Sequence, residues 1–281
     1  KFVNDVTHLS SRTDIELLKS DVRQIGQFPM NADWVIHAAA NPDIRTHASN
    51  PIDTASVIVD GTMSVVRTAE RLGRLKKLLY LSSGLISSSR DSSVEPLTEH
   101  AKGAHDPDAS FIYPNAKRFA ETLCSAARAQ SRIPVVIARP FSFIGPYQSL
   151  DTPWAQTTFM SDALNGHPIR LLGDGQVKRS YLYGCDAAYW FLKILVAGVN
   201  GDVVNVGSSE SVSLQDLANL IAQEIEPSPD IMLNTAPRNQ GRTAHFIPDI
   251  THAYNDYGLS IYTPLNEAIK LTAQWHQLVK I

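Results

Sequence analysis

Short apolar runs alternate with stretches of helical periodicity through the first half of this sequence. The apolar runs are typical of strands covered on both faces in a parallel sheet. We expect these strands at residues 15–22, 34–40, 76–83 and 134–141. Residues 53–73 and 116–130 carry helical periodicity, and Gly73 is placed to end the first helix. The alternation predicts a Rossmann-type, doubly wound α/β fold for residues 1–146.

The pattern changes after Pro146, where short strand-like pieces are interrupted by glycines. Two helices are predicted farther along the chain. Ser213 is a good N-cap for the first of them, and Pro264 suits the first turn of the second. We therefore expect residues 147–281 to form mainly a smaller mixed α/β lobe, interleaved with the last strands of the sheet.

Composition adds only a few limits to this picture. The chain has 281 residues, 43% hydrophobic and 19% charged, and a net charge of −3, which gives no sign of a nucleic-acid surface. Cys124 and Cys185 lie far apart and fit no metal or disulfide pattern, which favours a cytoplasmic protein. The most apolar window, 189–199, is too short to cross a membrane and predicts a buried helix.

Tyr113 and Lys117 are the first candidates for chemistry. Four residues apart at the start of a predicted helix, they share one face of it. An ammonium near a phenol favours the phenolate, so the pair suits proton transfer. The spacing is also common by chance, and an unrelated surface pair is the alternative.

A serine-rich loop strengthens the first interpretation. Ser82 and Ser83 follow the predicted strand 76–83, and ligands of open α/β sheets bind beyond the carboxyl ends of strands. A serine hydroxyl there could hydrogen bond the same substrate oxygen that exchanges a proton with Tyr113. Ordinary polar loop composition is the alternative for both serines.

Six stretches occur in an order that resembles the extended short-chain dehydrogenase/reductases, and more narrowly the NAD-dependent epimerase/dehydratase family. They are DWVIHAAA, YLSSG, YPNAK, ARPFSFIGPY, LLGDGQVKRSYLYGCDAA and VVNVGSSESVSLQDLA, and the resemblance covers about residues 15–275. It implies a domain that binds NAD or NADP, a lobe that binds a nucleoside diphosphate sugar, and a homodimer that pairs helices 53–73 and 116–130.

The resemblance also assigns individual roles. Tyr113 is the expected acid/base, Lys117 its partner and a ligand of the nicotinamide ribose, and Ser83 the hydroxyl that polarises the sugar C4 oxygen. The expected cofactor contacts are Asp21, Val22, Ala38, Ala39, Ala40, Ser82, Tyr113, Lys117 and Pro140. The expected substrate contacts are Ser83, Ser142, Arg179, Tyr181 and Arg238. No metal is expected, since His47, His100 and His105 lack ligand spacing.

The chain departs from the family in one large feature. The glycine-rich turn GxxGxxG, which would seat the cofactor pyrophosphate on a helix N-terminus, does not occur in it. We expect that roughly the first 30–40 residues of a Rossmann unit are missing through truncation. A natural protein without a cofactor site is the alternative. The residue that selects NAD or NADP is missing with them, so the choice cannot be read.

A second departure narrows the reaction. Gly84 and Leu85 stand where the 4,6-dehydratases of the family carry an Asp–Glu pair, so dehydration is not expected. The prediction is hydride transfer at C4 of a nucleotide sugar, as a 4-ketoreductase or alternatively a 4-epimerase. A scaffold that binds cofactor or sugar nucleotide without catalysis is a further alternative.

Overall fold

A computed structural model of the chain describes residues 12–25, 29, 31–88, 96–103, 106–234 and 245–279. Its strands are β1 (Trp34–His37), β2 (Lys77–Leu81), β3 (Val135–Pro140), β4 (Phe143–Ile144), β5 (Ile169–Leu172), β6 (Lys178–Ser180), β7 (Leu182–Tyr183), β8 (Val203–Val206), β9 (Ser211–Ser213), β10 (Ile231–Asn234) and β11 (His245–Phe246). Its α-helices are α1 (Ile44–Ser49), α2 (Pro51–Ala69), α3 (Ile112–Ser131), α4 (Ala155–Leu164), α5 (Gly184–Ala197), α6 (Leu214–Gln223), α7 (Thr251–Tyr257) and α8 (Leu265–Val279).

A four-stranded parallel sheet in the order β1-β2-β3-β8 is the centre of the fold. Successive side chains of β2 point to opposite faces of the sheet, and both faces are covered by helices. Leu78 and Tyr80 pack toward α2 and α3, whereas Leu79 packs toward α5 and α7. These helical layers on both faces confirm the predicted Rossmann-type α/β fold.

A second cluster of apolar side chains lies beyond Pro146. It joins α4, α6 and α8 to strand β5 and the β6–β7 segment. Ser213 caps α6 as predicted, accepting a 3.0 Å hydrogen bond from the backbone N–H of Asp216. Strand β8, in contrast, returns to the first sheet and pairs with β3.

The structure corrects several expectations about local structure. Residues 15–22 form no strand, and Val22 instead begins a short 3-10 turn against Gly61 of α2. Helix α2 ends at Ala69, before Gly73, and α8 begins at Leu265, so Pro264 precedes it. The sequence pattern predicted the approximate position of each helix, and the backbone hydrogen bonds of the structure define the residue at which it begins or ends.

Two further expectations concerned burial. Helix α5, predicted as buried, exposes Leu192 and Val196, with only its other side in the core. Strand β1 buries Val35 but exposes Ile36, although both faces were expected to be covered. Strand β1 is the edge strand of the described sheet, and Ile36 on it is 46% exposed. No described helix is long and apolar enough to cross a membrane.

Candidate active site

Tyr113 and Ser83 meet at the carboxyl end of β2. Tyr113 lies in the first turn of α3, and Ser83 follows β2 and caps the 3-10 turn Gly84–Ser87 by accepting from the N–H of Leu85 at 3.2 Å. The Ser83 hydroxyl lies near enough to the Tyr113 phenol to lower its pKa, and both residues are buried. The fold therefore brings together two of the predicted catalytic residues, although they lie 30 positions apart in the sequence.

Lys117 lies one helical turn beyond Tyr113 on α3. Its Nζ donates a 2.7 Å hydrogen bond to the backbone carbonyl of Leu81, the last residue of β2. The same Nζ lies 5.0 Å from the ring centroid of Tyr80 and 5.9 Å from that of Tyr113. This anchors α3 to the end of the strand and keeps an amine beside the phenol.

Burial dominates the acidity of both groups. It raises the pKa of Tyr113 to about 12, while the nearby Ser83 hydroxyl lowers it in part. Burial lowers the pKa of Lys117 to about 8, partly offset by the negative charge of Glu121. The sequence predicted that Lys117 would make the phenol more acidic. The structure corrects this: burial raises the phenol pKa, and the hydroxyl of Ser83 rather than the charge of Lys117 opposes the rise.

The residues around Lys117 suit the nicotinamide-ribose end of a dinucleotide. An ammonium has three donor hydrogens, and Leu81 accepts one. Ser82 is buried, and its hydroxyl has no hydrogen-bond partner among the described residues. A buried hydroxyl without a partner and a lysine with further donors fit the hydroxyls of a bound ribose.

The other predicted cofactor contacts lie on nearby or more exposed segments. Ala38, Ala39 and Ala40 follow β1, and the first two are exposed. Pro140 ends β3, the strand beside β2. The carboxylate of Asp21 is bound by the guanidinium of Arg23, which lowers the pKa of Asp21 to about 2. Val22 packs on α2. Their roles toward a cofactor stay predictions.

His37 has a structural role at the end of β1. Its Nε2 lies 3.0 Å from the hydroxyl of Thr62, which joins the end of β1 to α2. Burial lowers the pKa of His37 to about 4, and the charge of Lys117 acts in the same direction. A neutral imidazole held in this way ties strand to helix and takes no proton near neutral pH.

Gly84 packs against the ring of Phe141, a contact that no sequence pattern predicts. A Cβ at position 84 would lie 2.5 Å from Cε2 of Phe141, and Phe141 in turn stacks on Phe246 with ring centroids 4.5 Å apart. The place of an acidic side chain after Ser83 is thus filled by Phe141. Sequence spacing carries no signal for this contact because the two residues lie on different elements.

The predicted substrate contacts differ in burial and lie on separate segments of the chain. Ser142 is half-buried just after β3, and its carbonyl accepts from the N–H of Leu182. Arg179 lies in β6, partly exposed, whereas Tyr181 is buried in the apolar cluster that joins α4, α6 and α8 to β5. Arg238 lies outside the described residues. The described residues contain no cluster of His, Cys, Asp and Glu that could hold a metal ion.

Comparisons with known proteins define the class. Residues 4–207 match the NAD dependent epimerase/dehydratase family. UDP-glucuronic acid decarboxylase 1 of Xenopus tropicalis is 26% identical over 272 residues, covering 96% of this chain and 62% of the relative. The similarly named Arabidopsis thaliana protein is 28% identical over 259 residues, 89% of this chain and 55% of its own length. This chain therefore spans less than two thirds of these relatives.

A solved structure supports the fold independently. UDP-glucuronic acid 4-epimerase of Bacillus cereus, in complex with NAD, superimposes with a TM-score of 0.80 at 19% identity, covering 96% of this chain and 81% of the other. This likeness concerns the fold. Together with the family match over most of the sequence, it confirms the predicted class: the chain belongs to the NAD-dependent epimerase/dehydratase family.

Proposed function

We propose that this protein is a nucleotide-sugar oxidoreductase that acts at C4 of the sugar with NAD or NADP. The observation that carries the proposal is that Tyr113, Ser83 and the amine of Lys117 lie together at the carboxyl end of β2. A bound nicotinamide supplies or accepts the hydride. Tyr113 gives a proton to the C4 oxygen or takes one from it, and Ser83 holds that oxygen through its hydroxyl. Lys117 binds ribose hydroxyls with its remaining donors and adds positive charge near the phenol.

The sugar nucleotide would be held by the second lobe. A guanidinium matches the oxygens of a diphosphate, and the proposal assigns this contact to Arg179, with Arg238 as a second candidate. Ser142 and Tyr181 are the further proposed substrate contacts. Support comes from two of the similar proteins, UDP-glucuronic acid decarboxylase 1 and UDP-glucuronic acid 4-epimerase, whose names state that they act on a UDP-sugar.

The surroundings of Ser83 favour chemistry confined to C4. Gly84 and Leu85 offer no group that could protonate a leaving hydroxyl, and Phe141 fills the space beside Gly84. Dehydration across C5–C6 is therefore not part of the proposal. Two outcomes use the same three side chains: reduction of a 4-keto sugar, and 4-epimerisation, in which hydride leaves one face and returns to the other.

Decarboxylation is a second candidate, favoured by the likeness to the UDP-glucuronic acid decarboxylases. Oxidation of a uronic acid at C4 gives a β-keto acid. Such an acid loses CO₂ when the C5–C6 bond breaks and its electron pair moves toward the C4 oxygen. A proton then adds at C5 and hydride returns to C4. This sequence needs no acid at positions 84 and 85, so the site is compatible with it.

One set of assays separates these reactions. The protein is mixed with NADH or NADPH and a 4-keto-6-deoxy sugar nucleotide, and the nicotinamide absorbance is followed. A reductase consumes the reduced cofactor in equal amount to the sugar, whereas an epimerase converts an NDP-hexose without net consumption. Release of CO₂ from UDP-glucuronic acid would establish the decarboxylase. If fluorescence shows that the cofactor binds but none of these reactions is observed, the non-catalytic scaffold is the remaining interpretation. That result would contradict the proposal.

A further inference from the structure

His47 and Tyr113 form a close aromatic stack. Their ring centroids lie 4.2 Å apart, and the planes are only 13° from parallel. Both residues are buried, with exposed fractions of 8% and 5%. His47 belongs to α1 and Tyr113 to α3, so the contact joins two elements distant in sequence. No sequence pattern singled out His47, which had been considered only as a metal ligand.

The imidazole is itself held rigidly. Nε2 of His47 donates a 2.7 Å hydrogen bond to the carbonyl of Asn41, in the loop that follows β1. Burial lowers the pKa of His47, and the charge of Asp43 opposes this in part. Asp43 also caps α1 by accepting from the N–H of Arg45 at 2.9 Å. The loop and the short helix therefore present a fixed, flat ring to the phenol.

The geometry excludes a direct proton transfer between the two rings. A ring nitrogen accepts or donates in the plane of the imidazole, and in a parallel stack that plane does not point at the phenol oxygen. What the stack fixes is the plane of the phenol. Because the O–H bond of a phenol lies in the ring plane, the stack also fixes the directions in which the hydroxyl can point, beside Ser83.

We propose that His47 is a positioning residue: its imidazole face holds the ring of Tyr113 in the orientation that proton transfer at C4 requires. The inference rests on the proposed function for its kinetic part, and its structural part is independent of it. A ring that rotates about its Cβ–Cγ bond keeps its oxygen in place but turns the O–H bond out of line with the substrate oxygen, and such misalignment lowers kcat more than it weakens binding.

Two variants distinguish the effect of a flat aromatic ring at position 47 from the effect of side-chain volume. His47→Phe keeps an aromatic face, whereas His47→Leu fills similar space without one. We expect His47→Leu to lower kcat by about 10- to 100-fold with little change in KM, and His47→Phe to keep kcat within about threefold of the wild type. His252→Ala serves as control, because His252 also lies beside a tyrosine, with its ring centroid 5.7 Å from that of Tyr257. It should leave kcat unchanged.

A second readout needs neither cofactor nor substrate. In protein labelled with 3-fluorotyrosine, the ¹⁹F resonances of position 113 are assigned by their loss in Tyr113→Phe. A held ring gives two separate resonances for its two orientations, and a freely flipping ring gives one. We expect two in the wild type and in His47→Phe, and one in His47→Leu. Unchanged spectra in His47→Leu would overturn the proposal even if the protein turned over no sugar.

Two results of the kcat measurements would contradict the positioning role of His47. If His47→Leu kept the wild-type kcat, the orientation would not limit the reaction. If His47→Phe lost as much activity as His47→Leu, the imidazole chemistry rather than the stack would matter. Absence of turnover in the wild type would contradict the proposed function alone, and the ¹⁹F spectra would still decide whether His47 holds the ring.

Discussion

The ammonium of Lys117 hydrogen bonds the backbone carbonyl of Leu81 across 2.7 Å, although the two residues lie 36 positions apart. This contact joins α3, which carries Tyr113, to the end of β2, from which the loop of Ser83 begins. The candidate site is therefore built on the junction of a helix and a strand. A rigid junction keeps Tyr113, the proposed acid/base group, and the hydroxyl of Ser83 in constant relation.

Removal of the phenol oxygen should abolish most turnover. Tyr113→Phe keeps the ring but loses the group that exchanges the proton, and we expect kcat to fall by about 100- to 10,000-fold. Ser83 still caps its 3-10 turn in this variant, so the melting temperature should change little. The nicotinamide absorbance assay measures the rate. Tyr254→Phe, at an exposed position on α7, is the matched control. A Tyr113→Phe enzyme with wild-type kcat would refute the assigned role.

Stability should depend on pH through Lys117. Burial lowers the pKa of its ammonium from 10.5 to about 8. Below pH 8 the folded and unfolded chains both carry the charge, and the burial cost is fully present. Between about 8 and 10.5 the unfolded chain binds more protons, so the free energy of unfolding rises with pH. The full rise is on the order of 3 kcal/mol.

Urea unfolding of the wild type and of Lys117→Met tests this dependence. The variant has no group to titrate, so the wild type should gain stability relative to it between neutral pH and about pH 10. Equal pH dependence in the two proteins would show that the ammonium is not penalised in the folded state.

The contact between Gly84 and Phe141 predicts a sharp difference between two glycines. Gly84→Ala places a Cβ 2.5 Å from a buried ring, which should lower the free energy of unfolding by about 1–3 kcal/mol. Gly73→Ala is the control, since nothing lies within 4 Å of a Cβ at that position. Its change should stay within about 0.5 kcal/mol. Thermal or urea unfolding compares them, and equal losses would contradict the packing argument.

The exposed side of α3 is the proposed contact between two copies of the chain. Phe119 is 51% exposed, and Leu123 follows one turn later on the same side, half-buried. We expect a homodimer by light scattering and a monomer for Phe119→Glu, because a carboxylate in an apolar interface loses its hydration. Tyr254→Glu, on an exposed part of α7, should remain dimeric. A monomeric wild type would end this proposal.

Much of the fold and part of the site could be predicted from local pattern. Strands β2 and β3 appeared as continuous apolar runs, and α3 as a periodic stretch that places Tyr113 and Lys117 on one face. Residues 15–22 show where the pattern fails. Their apolar character suggested a strand, but a strand exists only where another strand supplies hydrogen bonds, and no described strand pairs with them.

The sequence by itself determined the family, the order of most elements and the spacing of Tyr113 and Lys117, because the motifs, the apolar patterns and this pair each depend on residues close together along the chain. Only the tertiary structure decided the ring over Tyr113, the aromatic side chain against Gly84 and the direction of the pKa shifts. Burial and contacts between distant segments produce these features. The neighbours of His47 and Phe141 come from segments distant in sequence, so the residues adjacent to them in the chain do not predict these contacts.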